Sequence, residues 1–406
     1  MSRYEYVVGQ DGRTLGYLAI DSTVAGESSG GVRMSTDVTL EEIRLLAENM
    51  TRKYGFLGIP QGGAKAGIVF DPEAPADTRR SALSMFGRGI LPLLRDRSYV
   101  PGPDLGVTKE DVNWMLAAGR GIAPANGNRP GLSHDYTGVT VALGAEKAAE
   151  RLGLDLRNAR VAVEGFGKVG AATAALLMKR GAKIVAVSTR RGGLYNERGL
   201  DLAQLTQEAA RKGSAFVLSY GEADRMSAGE LPFVEADILC PCAGHHSITG
   251  TNAGEVRARI ISPGANVPAT AEAEEVLSSR GILCLPDFVV NSGGVLGTFL
   301  EIAGLDSKKI PDAIRGIIGP RIEDMVRVFV GPGTSLRKHA VEMAEENFVS
   351  LKRRVEAGGV WSILNPSILR FGRSLLPSGV VSRIAVRYFE GGYEKKGTSR
   401  RGNACW

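Results

Sequence analysis

Along the first third of the chain, stretches that alternate apolar and polar residues give way to runs with apolar positions three and four apart. Residues 4–20 alternate, which predicts two strands turning at Gly12. Thr39-Leu40-Glu41-Glu42 reads as a capping box. Leu40, Ile43, Ala47, Met50 and Tyr54 then recur at helical spacing, and Lys53 falls at the end of that helix. Residues 55–71 read as loop, short strand and loop, and residues 76–94 and 109–119 as helices on either side of the turn-rich Pro101-Gly102-Pro103-Asp104-Leu105-Gly106. A different regime starts near Tyr136. Helical stretches at 140–152 and 168–180, the second stopped by Gly181, alternate with apolar strands at 160–164, 183–188, 238–239, 260–261 and 282–285. Such alternation implies a parallel, doubly wound sheet with ligand at the carboxyl ends of its strands. From Asn291 to about Glu356 the pattern is helical again.

The expected fold class is therefore α/β. It comprises an N-terminal α/β substrate domain (1–133), a Rossmann dinucleotide-binding domain (134–300), and a C-terminal helical segment with a basic tail (301–406) that packs back on the first domain. A chain of 406 residues is long for one core, which agrees with this division. Four cysteines (Cys240, Cys242, Cys284, Cys405) are too few for a disulfide framework and favour a reducing, cytoplasmic setting. The N-terminus lacks the apolar region of a secretory signal, and no run of apolar residues is long enough to span a membrane. The net charge of +6 is concentrated in residues 351–406, which hold eleven Lys/Arg against three Glu. Without an aromatic RNA-binding run or a zinc finger, that basicity points to a solvated tail, with a subunit contact or an anionic partner as the alternative, rather than to nucleic acid. Cys240-Pro241-Cys242 and His245-His246 lack metal-ligand spacing and read as core and loop residues, so no metal is expected. Trp114 and Phe299 read as packing residues.

Val161-Ala162-Val163-Glu164-Gly165-Phe166-Gly167-Lys168-Val169-Gly170 is a G-x-G-x-x-G between a strand and a helix. Gly165 allows the tight turn, Gly167 lets the backbone approach a pyrophosphate, and Gly170 permits close packing of helix on sheet. The start of the helix, at Lys168 and Val169, offers unpaired N–H groups to phosphate. The following strand ends in Val187-Ser188-Thr189-Arg190-Arg191, with no carboxylate to accept the adenosine ribose hydroxyls. Ser188, Thr189 and Arg190 suit a 2′-phosphate instead, so NADP is expected ahead of NAD.

Lys53 and Lys65 place two ammonium groups in one half of the chain, the second within the glycine-rich 59–67. Two cations in one cleft are costly unless they hold a carboxylate or depress a lysine pKa, which points to chemistry on a small anion. Several segments, in order, resemble the Glu/Leu/Phe/Val dehydrogenase family of amino acid dehydrogenases. They are Gly30-Gly31-Val32-Arg33-Met34, Thr51-Arg52-Lys53, Gly62-Gly63-Ala64-Lys65-Ala66-Gly67, Pro103-Asp104-Leu105-Gly106, Thr137-Gly138, Gly264-Ala265-Asn266-Val267-Pro268 and Asn291-Ser292-Gly293-Gly294-Val295, within residues 5–345.

The resemblance implies reversible oxidative deamination of an L-amino acid to a 2-oxo acid and ammonia, by a homo-oligomer. It implies that Lys53 holds the substrate carboxylate, Lys65 activates water, and Asp104, in an exposed rigid loop, shuttles protons. Asn266 and Asn291 would contact nicotinamide ribose and substrate, and Thr137 would lie beside the nicotinamide. Lys53 would supply the cation that depresses Lys65. Enzymes of the family that act on glutamate place a lysine just before Gly30-Gly31, where this chain has Ser29. Thr298, seven residues after Asn291, is a second hydroxyl expected at the side-chain pocket. Ala64 and Ala66 stand where the family commonly has glycine, and their methyls would narrow the site. The competing reading is a nucleotide-binding regulator of the same fold without turnover.

Overall fold

The computed structural model describes residues 4–10, 12–120, 136–358 and 378–391. The boundary expected at 133/134, Cys405 and the basic end of the tail lie outside the described residues.

The first unit is a five-stranded sheet built from β1 (Tyr4–Gln10), β2 (Arg13–Ile20), β3 (Ser28–Ser35), β4 (Gly62–Val69) and β5 (Val100–Pro103), in the order β1-β2-β4-β3-β5. β1 and β2 form the expected hairpin, and β4 runs antiparallel to β2 but parallel to β3. Three longer helices, α1 (Leu40–Leu57), α2 (Ala76–Gly89) and α4 (Lys109–Arg120), cover it, with the short α3 (Leu91–Arg95) after α2.

Three local expectations change here, while the short strand expected within residues 55–71 forms as the central strand β4. Its weak strand propensity is overridden because both of its edges are paired. α1 continues past Lys53 to Leu57 and is stopped by Gly58 at φ 73°. Its capping box is half formed: Thr39 Oγ1 accepts from the Glu42 N–H at 3.2 Å, but the Glu42 carboxylate turns to Arg33. The helix expected over 76–94 breaks at Ile90, with Pro92 opening the next turn.

β4 sorts its residues by face. Ala64, Ala66 and Ile68 point into the core with Leu83 and Phe86 of α2 and Val112 and Met115 of α4. Gly63 and Gly67 lie under α1, where a Cβ would come within 2.3 Å of Thr51 N and 2.4 Å of the Val38 side chain. Lys65 stands between these two glycines on the α1 side. The methyls of Ala64 and Ala66 therefore fill the core and do not narrow the site.

The second unit is a seven-stranded sheet, and α5 (Tyr136–Arg151) leads into it. Its strands are β6 (Arg160–Glu164), β7 (Lys183–Thr189), β8 (Gly192–Tyr195), β9 (Asp224–Met226), β10 (Ile238–Pro241), β11 (Ile260–Ile261) and β12 (Leu283–Cys284), in the order β12-β11-β10-β6-β7-β8-β9. The first five in that order are parallel, as expected. β8 and β9 add an antiparallel edge that three- and four-residue strands left illegible in the sequence. The helices of this unit are α6 (Lys168–Met178), α7 (Leu202–Lys212), α8 (Ala271–Ser279) and α9 (Asp287–Val290).

The chain ends in α10 (Gly293–Ile302), α11 (Ile310–Arg327), α12 (Leu336–Glu356) and α13 (Ser378–Gly391). These helices return to the first unit. α12 lies so close on α1 that a Cβ on Gly55 would stand 2.1 Å from Ala344 O. Buried Arg321 of α11 donates to Phe56 O at 2.8 Å and Phe389 O at 2.7 Å, joining α1, α11 and α13. One apolar cluster runs from Tyr54 and Phe56 through Leu143 and Val163 to Ile318 and Phe389, so the second sheet and the returning helices share a core. Phe299 meets Phe389 edge-on at 5.2 Å, and Arg80 stacks 4.8 Å over Trp114, both in packing roles as expected.

Candidate active site

Lys65 leaves the α1 face of β4 and meets Asp104, just past β5, with Nζ 2.7 Å from Oδ2. Arg33 of β3 donates from Nε to the same oxygen at 3.2 Å and from Nη1 to Glu42 of α1. A glycine at position 31 makes this convergence possible. A Cβ there would lie 2.7 Å from Asp104 Cβ and 3.2 Å from Lys65 Nζ. Neighbouring Gly30 is equally constrained, since its Cβ would fall 1.5 Å from Ala64 O.

Asp104 is not the exposed residue expected from its loop; its side chain keeps 21% of its surface, and it is ion-paired. Burial would raise its pKa, but the Lys65 ammonium and the Arg33 guanidinium overcome this and hold it down to about 2. Burial lowers the Lys65 pKa, with the Asp104 carboxylate opposing and Arg33 reinforcing the shift. Arg33 is thus a cation working against Lys65 that the sequence did not suggest, and the repulsion between Lys53 and Lys65 is felt at Lys53. Lys53 is itself lowered to about 8 by burial, partly opposed by Asp287 and reinforced by Lys65.

Lys53 projects from α1 across the cleft, its Nζ 3.5 Å from Asn266 Oδ1. Asn291 Nδ2 donates to the same oxygen at 2.9 Å and to Ala265 O at 3.2 Å, while its buried Oδ1 accepts no hydrogen bond among the described residues. Lys53, Asn266 and Asn291 are thus one cluster, and Lys65 with Asp104 is coupled to it through charge.

Val267, directly after Asn266, has a φ of 48°, a strained conformation for a β-branched residue. Two hydrogen bonds hold it there: its N–H donates to Asp287 Oδ2 at 2.8 Å, and its carbonyl accepts from His246 N at 2.9 Å. Fully buried Asp287 also accepts from Asn49 of α1 at 2.9 Å and pairs with Arg337 of α12. One carboxylate therefore fixes the asparagine loop against both halves of the cleft.

Ser29 shares a short hydrogen bond with the hydroxyl of Tyr54, the residue after Lys53, and the buried Tyr99 hydroxyl donates to Gly30 O at 3.0 Å. The wall beside the lysines therefore carries neutral hydroxyls. Thr298 does not join them through any hydrogen bond among the described residues; it is exposed on α10. Thr137, at the start of α5, faces α10, since a Cβ on Gly294 would lie 2.7 Å from Thr137 Oγ1.

The glycine turn has the form a dinucleotide requires. Gly165 has a φ of 84°, and a Cβ on Gly170 would fall 2.1 Å from Gly165 O, so α6 packs directly on the turn. Gly167 opens on free space, and α6, beginning at exposed Lys168 and half-buried Val169, receives no side-chain cap at its N-cap. Its first N–H groups thus remain available to a pyrophosphate. Buried Ser188 secures the turn, accepting from Gly165 N at its Oγ (3.1 Å) and from Phe166 N at its carbonyl (2.6 Å). Thr189 Oγ1 donates to Ser214 O at 2.8 Å, and exposed Arg190 pairs with Glu73 of the first unit. These residues fit a dinucleotide.

Sequence reasoning missed several participants. Arg33 lay inside a quoted motif without a role, and Asp287 had only its position at a helix start to mark it. Glu164 ends β6 buried beside the glycine turn. Burial pushes its carboxyl up to about 7, against the Ser247 hydroxyl that donates to it at 2.9 Å. His245 is a loop residue as read, but its Nδ1 lies 3.4 Å from Glu42 across the cleft. Cys240 is buried at the end of β10, as expected. No group of His, Cys, Asp or Glu able to hold a metal occurs among the described residues, and no described helix is long and apolar enough to cross a membrane.

Residues 131–351 match the Glutamate/Leucine/Phenylalanine/Valine dehydrogenase model, and residues 6–120 match the Glu/Leu/Phe/Val dehydrogenase dimerisation domain. A glutamate dehydrogenase of Thermotoga maritima is 35% identical over 300 residues, 70% of this chain and 71% of that protein. An NAD-specific glutamate dehydrogenase of Peptoniphilus asaccharolyticus is 33% identical (70% and 72% covered), as is an NADP-specific one of Saccharolobus shibatae (73% and 73% covered). Among solved structures, the hetero-hexameric glutamate dehydrogenase of Thermus thermophilus in its leucine-bound form superposes with a TM-score of 0.63 at 27% identity, covering 94% of this chain and 89% of that one. With its lysines, glycine turn and paired asparagines in place, the chain belongs to the Glu/Leu/Phe/Val dehydrogenase family of amino acid dehydrogenases.

Proposed function

We propose that this enzyme carries out the reversible oxidative deamination of an L-amino acid with an uncharged side chain, giving a 2-oxo acid and ammonia. The observation that carries the reading is the buried Lys65–Asp104 pair at 2.7 Å, set between Lys53 and the Asn266–Asn291 amides. Lys53 receives the substrate α-carboxylate, which replaces Asn266 Oδ1 as the partner of its ammonium. Lys65, its proton loosened by burial and by Arg33, activates the water that attacks the substrate carbon. Asp104 carries protons to and from the substrate nitrogen. Its proton affinity is tied to Lys65: the Lys65 ammonium and the Arg33 guanidinium together hold the carboxylate down to about 2, and when Lys65 gives up its proton only the Arg33 restraint is left. Asn291 Oδ1, a buried acceptor, meets a donor on substrate or ribose. A bound NAD or NADP supplies the acceptor for the electrons taken from the α-carbon. Exposed Arg190 and the absence of a carboxylate at the end of β7 support NADP ahead of NAD, while the hydroxyls of Ser188 and Thr189 are taken up by the glycine turn and by Ser214.

The uncharged side chain rests on Ser29 and Tyr54, whose paired hydroxyls supply no cation for a second carboxylate. Exposed Tyr4 and Val7 on the edge strand β1 support a homo-oligomer built on the first unit. A panel of L-amino acids, and of 2-oxo acids with ammonia, followed by nicotinamide absorbance with NADP and NAD, tests the reading. The expected result is turnover of an uncharged amino acid, at least tenfold better in kcat/KM than glutamate and absent in Lys65→Ala. Tight dinucleotide binding with no turnover on any member would overturn it in favour of a regulator.

A further inference from the structure

We propose that Glu73, on the far side of the cleft from the nucleotide fold, is a specificity-determining residue that sets the balance between NADP and NAD. The inference rests on the reading that the end of β7 receives the adenosine ribose. Strand β7 ends without the carboxylate that would accept ribose hydroxyls, and Arg190 there would attract a 2′-phosphate. The guanidinium is already engaged, however. Its Nη1 pairs with Glu73 Oε1, and its Nε points at Ser214 Oγ, 3.4 Å away.

Glu73 belongs to the loop between β4 and α2 of the first unit. That loop is shaped by Asp71, whose Oδ1 accepts from Glu73 N at 2.9 Å and whose carbonyl accepts from Ala74 N at 3.2 Å. The carboxylate is thus delivered on a formed turn rather than on a long tether. Both side chains keep 60% of their surface, so the pair contributes little to folding. Its consequence falls on the ligand that shares the same guanidinium. A 2′-phosphate must either displace Glu73 or accept a carboxylate beside it, whereas a 2′-hydroxyl faces no such competition and finds in Glu73 an acceptor. A discriminating element built against one ligand acts on the difference between two affinities, which is what cofactor choice measures.

The test uses the full chain and two probes, adenosine 2′,5′-bisphosphate and AMP, titrated by calorimetry into wild type, Glu73→Gln, Arg190→Gln and the double variant. Glu73→Gln is expected to tighten the bisphosphate about threefold to fivefold relative to AMP, the size an exposed pair of this kind carries. Arg190→Gln is expected to weaken the bisphosphate relative to AMP, and the gain from Glu73→Gln should vanish in its background. The ratio of kcat/KM for NADP over NAD should move by the same factors. If Arg190→Gln lowers the ratio while Glu73→Gln leaves it unchanged, the role of Glu73 is overturned and the nucleotide reading stands. If neither variant moves it, the placement of the ribose at β7 falls and the proposal with it.

Discussion

At the scale of single residues, the site is governed by what burial does to charge. Lys53 titrates near 8 because its ammonium is desolvated beside a second lysine. A bound carboxylate favours the charged form, so binding raises this pKa. At pH 7 the lysine is charged before and after binding, and between pH 8 and 10 binding must take up a proton. Calorimetric titration of a 2-oxo acid at pH 9, in buffers of different ionisation enthalpy, should report uptake approaching one proton, falling toward zero at pH 7 and abolished in Lys53→Gln. Equal uptake at both pH values would remove Lys53 as the carboxylate partner.

Glu164 gives the opposite kind of signature. Its folded pKa of about 7 lies above the ordinary value near 4.3, so the ionised form is disfavoured in the fold. Stability is therefore lost as pH rises from about 4 through 7, then levels off. Glu164→Gln should restore on the order of 1–3 kcal/mol at pH 8 and little at pH 4.5, as read from urea midpoints. Comparable change at both pH values would contradict this. The lysines and Asp104 were legible because motif and residue type coincide. Glu164 and Asp287 were not, because an acidic residue in sequence says nothing of its burial or partners.

Between elements, β4 and the strands beside it set the geometry. The glycines at 31, 63 and 67 let β5 and α1 crowd the lysine, and a methyl at 31 would intrude between Lys65 and Asp104. Gly31→Ala is expected to lower kcat by at least a hundredfold, the scale of losing one positioned proton carrier, while thermal unfolding moves by a few degrees at most. Unchanged kcat would show that the pair does not need its present spacing. The amphipathic α1 and the apolar strands of the second sheet were readable from periodicity. β4 was readable only as a short strand between loops, because glycine and alanine carry a loop signal, and its length and central place come from pairing on both edges. β8 and β9 were missed because three or four residues carry no measurable period.

Across the whole molecule, two sheets close on one cleft, and the returning helices hold the closure. The return of the C-terminal helices to the first unit was expected from the sequence; the fastening itself, by Arg337, Asp287 and Asn49, was invisible until distant segments met. Removing Asp287 leaves Arg337 paired with Glu274 but strips Asn49 Nδ2 and the Val267 N–H of their buried acceptor and releases the strained Val267 loop. Asp287→Ala should therefore cost about 2–4 kcal/mol in urea unfolding. Asn49→Ala should cost about 1 kcal/mol and raise KM for the amino acid. A stability loss below 1 kcal/mol in Asp287→Ala would show that the cleft is fastened elsewhere.

The central claim is that Lys65 and Asp104 perform the chemistry while Lys53 holds the substrate. It is tested most directly by rapid mixing of enzyme and dinucleotide with the best amino acid of the panel, for wild type, Lys65→Ala and Asp104→Asn. Binding of the 2-oxo acid is measured alongside. The account predicts oxo acid affinity within a few-fold of wild type and a first-turnover rate lowered about a thousandfold or more in both variants. First-turnover rates within tenfold of wild type in Lys65→Ala would contradict it.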